Sequence, residues 1–518
     1  MSRDTVLVGA GAAGCVLAAR LSEAGRRVLL LEAGPDFPDP ESLPTEVRRA
    51  YGERGIWSRA FGHSTRYGWG YRARATDSHP DMFVPRGRLV GGSSAVNAQI
   101  FLRGVPEDYD GWAAAGNPEW AWEKVLPCLR RIEADPDFDD DFHGAEGPIP
   151  VHRFRYEACA AEQKAFYDVL RDRGQPDCPD HNDPDSTGVG PLPLNNAGGI
   201  RWSAALAYLT PEVRARPNLE IRALAPTRRV VVEGGRAAAV EVRGPAGVER
   251  IDAGEIILTG GAIGSPQLLL LSGIGPARDL EALGLPVHTD LPGVGGNLRC
   301  HAQCGLNLEA EPAFLGTGEG PPLQMGCRYT AGGSDLRNDM FLHPGSGAPR
   351  GGYYHDTEVV GFNLVASIYL AAGAGSLRLA STDPGRQPVL DYNYLGERTD
   401  LDRMREGVRI LLVVLDHEAF RRITRGPLNI SPSDTASDAA LDDWMRRVVA
   451  TSHHVSGTCK MGPDSDPAAV VDECGGVKGV KGLRVADASI MHDCIRANTN
   501  LTTMMIAERL AELIAEGR

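Results

Sequence analysis

The chain has 518 residues, 42% hydrophobic and 24% charged. These ordinary globular proportions exclude a disordered, collagenous or coiled-coil protein, and roughly 150 residues per domain allows about three domains. Its 54 basic and 68 acidic residues leave a net charge of −14 with no dense Lys/Arg stretch, so nucleic acid is not expected as a partner. The start, Met1-Ser2-Arg3-Asp4, has no signal-peptide pattern and no apolar run approaches 18 residues, so neither a leader nor a membrane span is expected. Ten dispersed cysteines read as reduced thiols of a cytoplasmic protein. Glycine is in excess, 62 of 518, or about 12% against a usual ~7%. Such an excess without repeats suits a backbone that comes close to a large phosphate-bearing ligand at many points.

In chain order, Thr5 to Val8 reads as a strand, Gly9-Ala10-Gly11-Ala12-Ala13-Gly14 as a glycine turn, and the Ala/Leu-rich stretch to about Ala24 as a helix stopped by Gly25. Arg27 to Leu31 is a continuous apolar run suited to a parallel strand buried on both faces, and Glu32 follows it. This is a βαβ dinucleotide-binding pattern: Gly9 for the tight turn, Gly11 for amide approach to a pyrophosphate, Gly14 for helix-on-strand packing, Glu32 for a ribose. The fingerprint alone leaves NAD and FAD open. Gly87 to Asn97 forms a second Gly/Ser-rich turn, a nest of donors for a phosphate or a flavin edge, or else an ordinary surface loop. The acidic run Asp135 to Asp141 is expected to be a solvated loop.

Residues 215–260 read as a β-meander returning through Glu255 to Thr259 to the first sheet, with a helix from Ser265. The stretch 300–440 is less patterned, holds one amphipathic helix from Asp400 to Leu415, and reads as a second domain. Cys300-His301-x-x-Cys304 has the look of a metal corner but lacks a second ligand pair, so no metal is expected. Gly482 to Ala486 reads as a strand ending at Asp487-Ala488-Ser489, and the last helix runs to about Ala515 with Thr502 as its N-cap.

Together these motifs resemble the glucose-methanol-choline family of FAD-dependent oxidoreductases along essentially the whole chain. Gly87 to Asn97 matches one family signature and Gly261 to Gly275 another; His454-Val-Ser-Gly457-Thr458 fits the catalytic-histidine motif, and Val485 to Ser489 with Ala497 to Asn500 the C-terminal flavin-contact segment. Within the family the chain looks most similar to bacterial alcohol oxidases and dehydrogenases near 5-hydroxymethylfurfural, aryl-alcohol and choline oxidases. The resemblance implies an α/β fold: a Rossmann-like FAD-binding domain with a β-meander (1–150, 210–300 and 455–518) and an α+β substrate domain on an antiparallel sheet with helices (151–209 and 301–454).

It also implies that Gly9, Gly11, Gly14 and Glu32 hold the ADP half of FAD, and that Gly91, Gly92, Asn97 and Asp487 line the pyrophosphate and ribityl region, with Asn498 and Thr499 at the isoalloxazine. Ala12, Ala13, Ala33, Arg88, Ser94, Thr227 and Ala488 are expected to bind the cofactor as well. Val96 stands where some relatives carry a flavin-linking histidine, so FAD is expected to be non-covalent. Cys300 stands where relatives commonly carry Asp, which puts local hydrogen bonding in doubt.

Moving a hydride from an alcohol carbon to flavin N5 requires a base for the hydroxyl proton, and neutral histidine suits pH 7. His454 is the expected base and Asn498 its partner at the substrate oxygen. His453, next along an extended segment, should face the opposite side, either shaping the substrate pocket or packing. Tyr353, Tyr354, Phe362 and Trp69 could face a pocket or the core. The expected activity is oxidation of an alcohol to an aldehyde or ketone, electrons passing to O₂ or another acceptor. Alternatives are a hydroxynitrile-lyase-like enzyme of the same fold without net redox, a nicotinamide-dependent dehydrogenase, and a binding or scaffold role. Oligomeric state is not legible.

Overall fold

The computed structural model describes residues 3–49, 51–52, 66–244, 247–316, 318, 320–349 and 358–518. Tyr353 and Tyr354 lie outside them. The elements used below are, in chain order, β1 (Arg3–Val8), α1 (Ala12–Glu23), β2 (Val28–Leu31), β3 (Gly188–Pro191), β4 (Leu219–Arg222), β5 (Thr227–Glu233), β6 (Arg236–Gly244) and β7 (Gly247–Leu258). They continue with α2 (Gly261–Leu271), β8 (Ala302–Ala310), β9 (Met325–Tyr329), β10 (Met340–Pro349), β11 (Val359–Ile368), α3 (Arg398–Leu415), β12 (Thr424–Pro427), β13 (Ala450–Thr451), β14 (Leu483–Val485) and α4 (Thr499–Ala515).

The first sheet has the order β4-β2-β1-β7-β6-β5, with β14 also pairing with β7. Its β4, β2, β1, β7 and β14 run parallel. All four residues of β2 are buried, as a parallel strand covered on both faces requires. Strand β7 serves twice: its first half closes the antiparallel meander on β6 and its second half joins β1. The second sheet is antiparallel in the order β12-β8-β11-β10-β9-β3, with β13 on β8. Along β8 burial alternates residue by residue, the period-two pattern of a strand with one core face. Helix α3 packs on β11 and matches the amphipathic segment read from the sequence.

Two expectations are corrected and one open alternative is settled. Thr502 does not cap α4: the N-cap position is Asn498, and Thr502 is buried one turn inside, its hydroxyl 2.9 Å from the Tyr109 hydroxyl. The Asp135–Asp141 run is not wholly solvated, because Asp135 is buried and paired with Arg153 at 2.7 Å. Phe362 is a core residue, whereas Trp69 lines the cavity described below.

Gly9 and Gly14 set the β1–α1 junction. Gly9 has φ +111°, and a Cβ on Gly14 would lie 2.0 Å from the Gly9 carbonyl oxygen, so the helix seats on the strand only without a side chain there. Gly14→Ala is therefore expected to destabilise the protein by about 2 kcal/mol or more. Gly111→Ala, at an exposed helical position with nothing within 4 Å of the new Cβ, should stabilise it by up to about 1 kcal/mol. Thermal unfolding of the two variants, with melting temperatures moving in opposite directions, checks the pair.

Candidate active site

A single cavity of about 600 Å³ extends from the β1–α1 turn to the second sheet. At the first end α1 presents its N-terminus, with Gly11 at the N-cap position and no side chain capping it; its first amides and positive dipole end are therefore open to an anion. Gly9, Gly11, Ala12 and Ala13 line this end together with Glu32, Ala33, Arg88, Gly92, Ser94, Asn97 and Thr227. Gly92 has φ +52°, and a Cβ there would be 2.7 Å from the Gly11 Cα, so two bare backbone segments meet at the cavity wall.

The Glu32 carboxylate accepts from the Ala10 and Gly34 amides at 2.9 and 2.8 Å. Burial pushes its pKa up to about 7, against those hydrogen bonds. Ser94 lines the wall with a committed hydroxyl, donating to the Gly91 carbonyl at 2.6 Å and accepting from the Ala204 amide at 3.0 Å.

Two of the glycines expected at the ligand do not line the cavity. Gly14 is in the helix–strand contact. Gly91 faces inward, where a Cβ would meet Ala95 and Ala205, and its amide donates to the Ala10 carbonyl at 2.7 Å; at φ +100° it bends the chain so that Gly92 reaches the wall. Asp487, at the end of β14, accepts from the Gly261 amide and the Ser265 hydroxyl at 2.8 and 2.6 Å, and from the Ser489 amide at 2.8 Å. It ties β14 to the start of α2 and, with Ala488, borders the middle of the cavity.

At the other end His453, His454, Asn498 and Thr499 line the cavity together. The expectation that neighbouring histidines face opposite sides fails because the segment is not extended: His453 has φ +70°, and this turn brings both rings to the same space. Asn498 occupies the N-cap position of α4 without capping it. Its amide instead lies 2.9 Å from His454 Nε2, while its Oδ1 has no hydrogen-bond partner among the described residues.

The group that sequence reasoning missed is His301. Residues 297–301 run back along the His454 loop through paired hydrogen bonds between Arg299 and Ser456, which sets His301 Nδ1 2.8 Å from His454 Nδ1. Its only earlier role was in the Cys300/Cys304 corner, whose members have separate partners: Cys300 Sγ is 3.2 Å from the Thr451 hydroxyl and Cys304 is buried in the core. A histidine immediately ahead of an alternating strand carried no signal of its own.

The protons in this chain can be placed. His301 Nε2 lies 2.8 Å from the Ile495 main-chain carbonyl, which can only accept, so this nitrogen carries the hydrogen. A neutral His301 then accepts at Nδ1, His454 donates from Nδ1, and His454 Nε2 keeps its lone pair opposite the Asn498 amide donor. Burial holds His301 down to about 4. His454 is held well below 6.5 by burial first and by the neighbouring His301, His453 and Arg86 next. Both rings are neutral at pH 7, and the site presents an unprotonated imidazole nitrogen beside an amide donor at the end of a cavity that begins at a dinucleotide-type turn.

Comparison with known proteins gives the family. The GMC oxidoreductase family matches residues 3–303 with its N-terminal model and residues 372–507 with its C-terminal one. The chain is a GMC oxidoreductase. Members of this family bind FAD, which resolves the choice that the fingerprint left open. This oxidoreductase is 36% identical to the 5-(hydroxymethyl)furfural oxidase of Methylovorus sp. (strain MP688) over 548 aligned positions, covering 99% of the chain and 98% of the relative. It is also 36% identical to the mitochondrial choline dehydrogenase of Homo sapiens, covering 99% of the chain and 90% of that protein. In structure it superposes on pyridoxine 4-oxidase from Mesorbium loti with a TM-score of 0.89 at 32% identity, each chain 99% covered.

Glu32 makes a pH prediction for the cofactor-free oxidoreductase. Its folded pKa, about 7, stands above the ordinary 4.5, so its contribution favours folding most below pH 4.5 and is lost as pH rises through about 7. Glu32→Gln should remove that component, flattening the fall in melting temperature between pH 5 and 7.5 relative to wild type; parallel profiles for the two proteins would exclude it.

Proposed function

We propose that this oxidoreductase oxidises a primary or secondary alcohol to an aldehyde or ketone, with O₂, reduced to hydrogen peroxide, or another acceptor taking the electrons. The observation that carries the reading is the His301–His454–Asn498 chain, with an acceptor lone pair at its cavity end. FAD fits the remaining wall, where bare backbone at Gly9, Gly11 and Gly92 and the uncapped start of α1 meet; when bound it supplies the acceptor for the substrate hydride. Gly11, Ala12, Ala13, Glu32 and Thr227 are assigned to its ADP half, Gly92, Ser94, Asn97 and Asp487 to the middle, and Asn498 with Thr499 to the reactive end. Val96 lines the wall and has no nucleophile to offer, so the flavin is read as non-covalent.

In this scheme His454 Nε2 takes the hydroxyl proton and the Asn498 amide steadies the negative charge left on the oxygen. His301 acts through His454, holding the imidazole in the tautomer whose lone pair faces the substrate. The two-domain division at 1–150, 210–300 and 455–518 against 151–209 and 301–454 follows the two sheets. Ten free thiols, nine of them buried, support a reducing, cytoplasmic setting. No specific observation favours the cyanohydrin-cleaving alternative.

His454→Ala should slow flavin reduction by about 10²–10⁴, read by anaerobic stopped-flow; bleaching at the wild-type rate would rule out this base. His301→Ala should cost up to about 10⁴ while leaving flavin content unchanged. A base held well below 6.5 is unprotonated throughout the neutral range, so kcat/KM should be flat across pH 6.5–8 and fall only on the acid side.

A further inference from the structure

The relatives divide on the charge of their substrates, and the cavity itself takes a side. Its substrate end is a patch of the second sheet fixed by register. Gln303 on β8 and Phe341 on β10 flank Ser367 on β11, and one step along His343 flanks Val365. Asn363, Val365 and Ser367 are alternate residues of β11 and share one face; with Gln303, Phe341 and His343 they line the cavity. Every polar group in this patch is neutral. Burial holds His343 down to about 4. The Gln303 amide is engaged on both sides, donating to the Thr451 carbonyl at 3.2 Å and accepting from the Ser452 hydroxyl at 3.0 Å. Asn363 lines the same wall as an uncharged amide whose Oδ1 is itself buried.

Charges around the cavity are one-sided. Among the described residues that line it, the carboxylates are Glu32 and Asp487, and each already accepts from backbone amides or a serine hydroxyl away from the second sheet. The guanidinium at the histidine end is Arg86, which donates to the His453 carbonyl. Aromatic faces are taken too. Tyr369 stacks on His301 and on Phe341, with centroids 4.3 and 4.9 Å apart, and Trp69 stacks on Tyr71 and carries the Arg88 guanidinium 5.1 Å from its centroid. A quaternary ammonium needs an unpaired carboxylate or an open aromatic cage, and this patch supplies neither.

We infer that the substrate is an uncharged alcohol, and that Arg86, with the neutral patch of Gln303, His343 and Asn363, excludes cationic amino alcohols. This rests on the alcohol-oxidation reading above and narrows it. The reacting hydroxyl meets His454 Nε2.

The test uses isosteric pairs that differ only in charge. Choline against 3,3-dimethylbutan-1-ol, and 3-(hydroxymethyl)-1-methylpyridinium against 3-methylbenzyl alcohol, are titrated into the oxidised holoenzyme. Binding is read from the perturbed flavin spectrum, and flavin reduction is then followed anaerobically. The neutral member should bind at least tenfold more tightly in each pair, and Arg86→Gln should narrow the ratio. A cation that binds as well as its neutral partner in either pair overturns the inference, and a ratio unchanged in Arg86→Gln overturns the part given to Arg86. If the neutral members bind preferentially but no alcohol bleaches the flavin, the oxidation reading fails while the charge preference stands, so the two failures are distinguishable.

Discussion

The Ile495 carbonyl can only accept a hydrogen bond, and that asymmetry orders three side chains. It fixes the hydrogen on His301 Nε2, which makes His301 Nδ1 an acceptor and His454 Nδ1 a donor. The far nitrogen of His454 is left with a lone pair beside Asn498. A backbone carbonyl has no tautomer and no ionisation, so the order does not drift with pH as it would if a carboxylate held the far end. Burial reinforces it by keeping both rings neutral. The arrangement needs three separated stretches of chain, at residues 301, 454 and 495–498, to converge within hydrogen-bonding distance.

How much of this was legible in the sequence depends on the range of the interaction. The βαβ unit reads directly because its determinants are local: Gly9, Gly14 and Glu32 lie within one turn and two strands, and each has a backbone reason to be what it is. His454 and Asn498 were legible through motif context. His301 was not, because its role exists only once residues 297–301 pair with the His454 loop. The same limit explains Gly91 and Gly92: a sequence shows two glycines able to bend, while the structure decides that one faces inward and the other the cavity. His453 failed for a local reason, its positive φ, since alternation holds only in extended chain. Thr502 failed because a threonine near a helix start satisfies the capping rule equally well from inside the helix, where its hydroxyl found Tyr109 instead.

The two ends of the cavity obey different physics. Around the dinucleotide-type turn the wall is backbone, and its selectivity is for negative charge and flat approach, expressed by uncapped amides and guanidinium groups. At the second sheet the wall is side chain, set out by strand register, and its polarity is neutral. An anionic ligand and an uncharged one can thus occupy the same cavity without competing for the same groups.

Strand β7 also bears on when the molecule can become complete. Its partners β1 and β14 come from opposite ends of the chain, and α4 packs along α1 while carrying Asn498 at its start. The first βαβ unit therefore emerges from the ribosome long before its neighbours exist; β4 and β7 close its edges from mid-chain, while the face of α1 that meets α4 stays uncovered until residues 499–515 have been made. The last helix thus both covers α1 and carries Asn498 to the cavity.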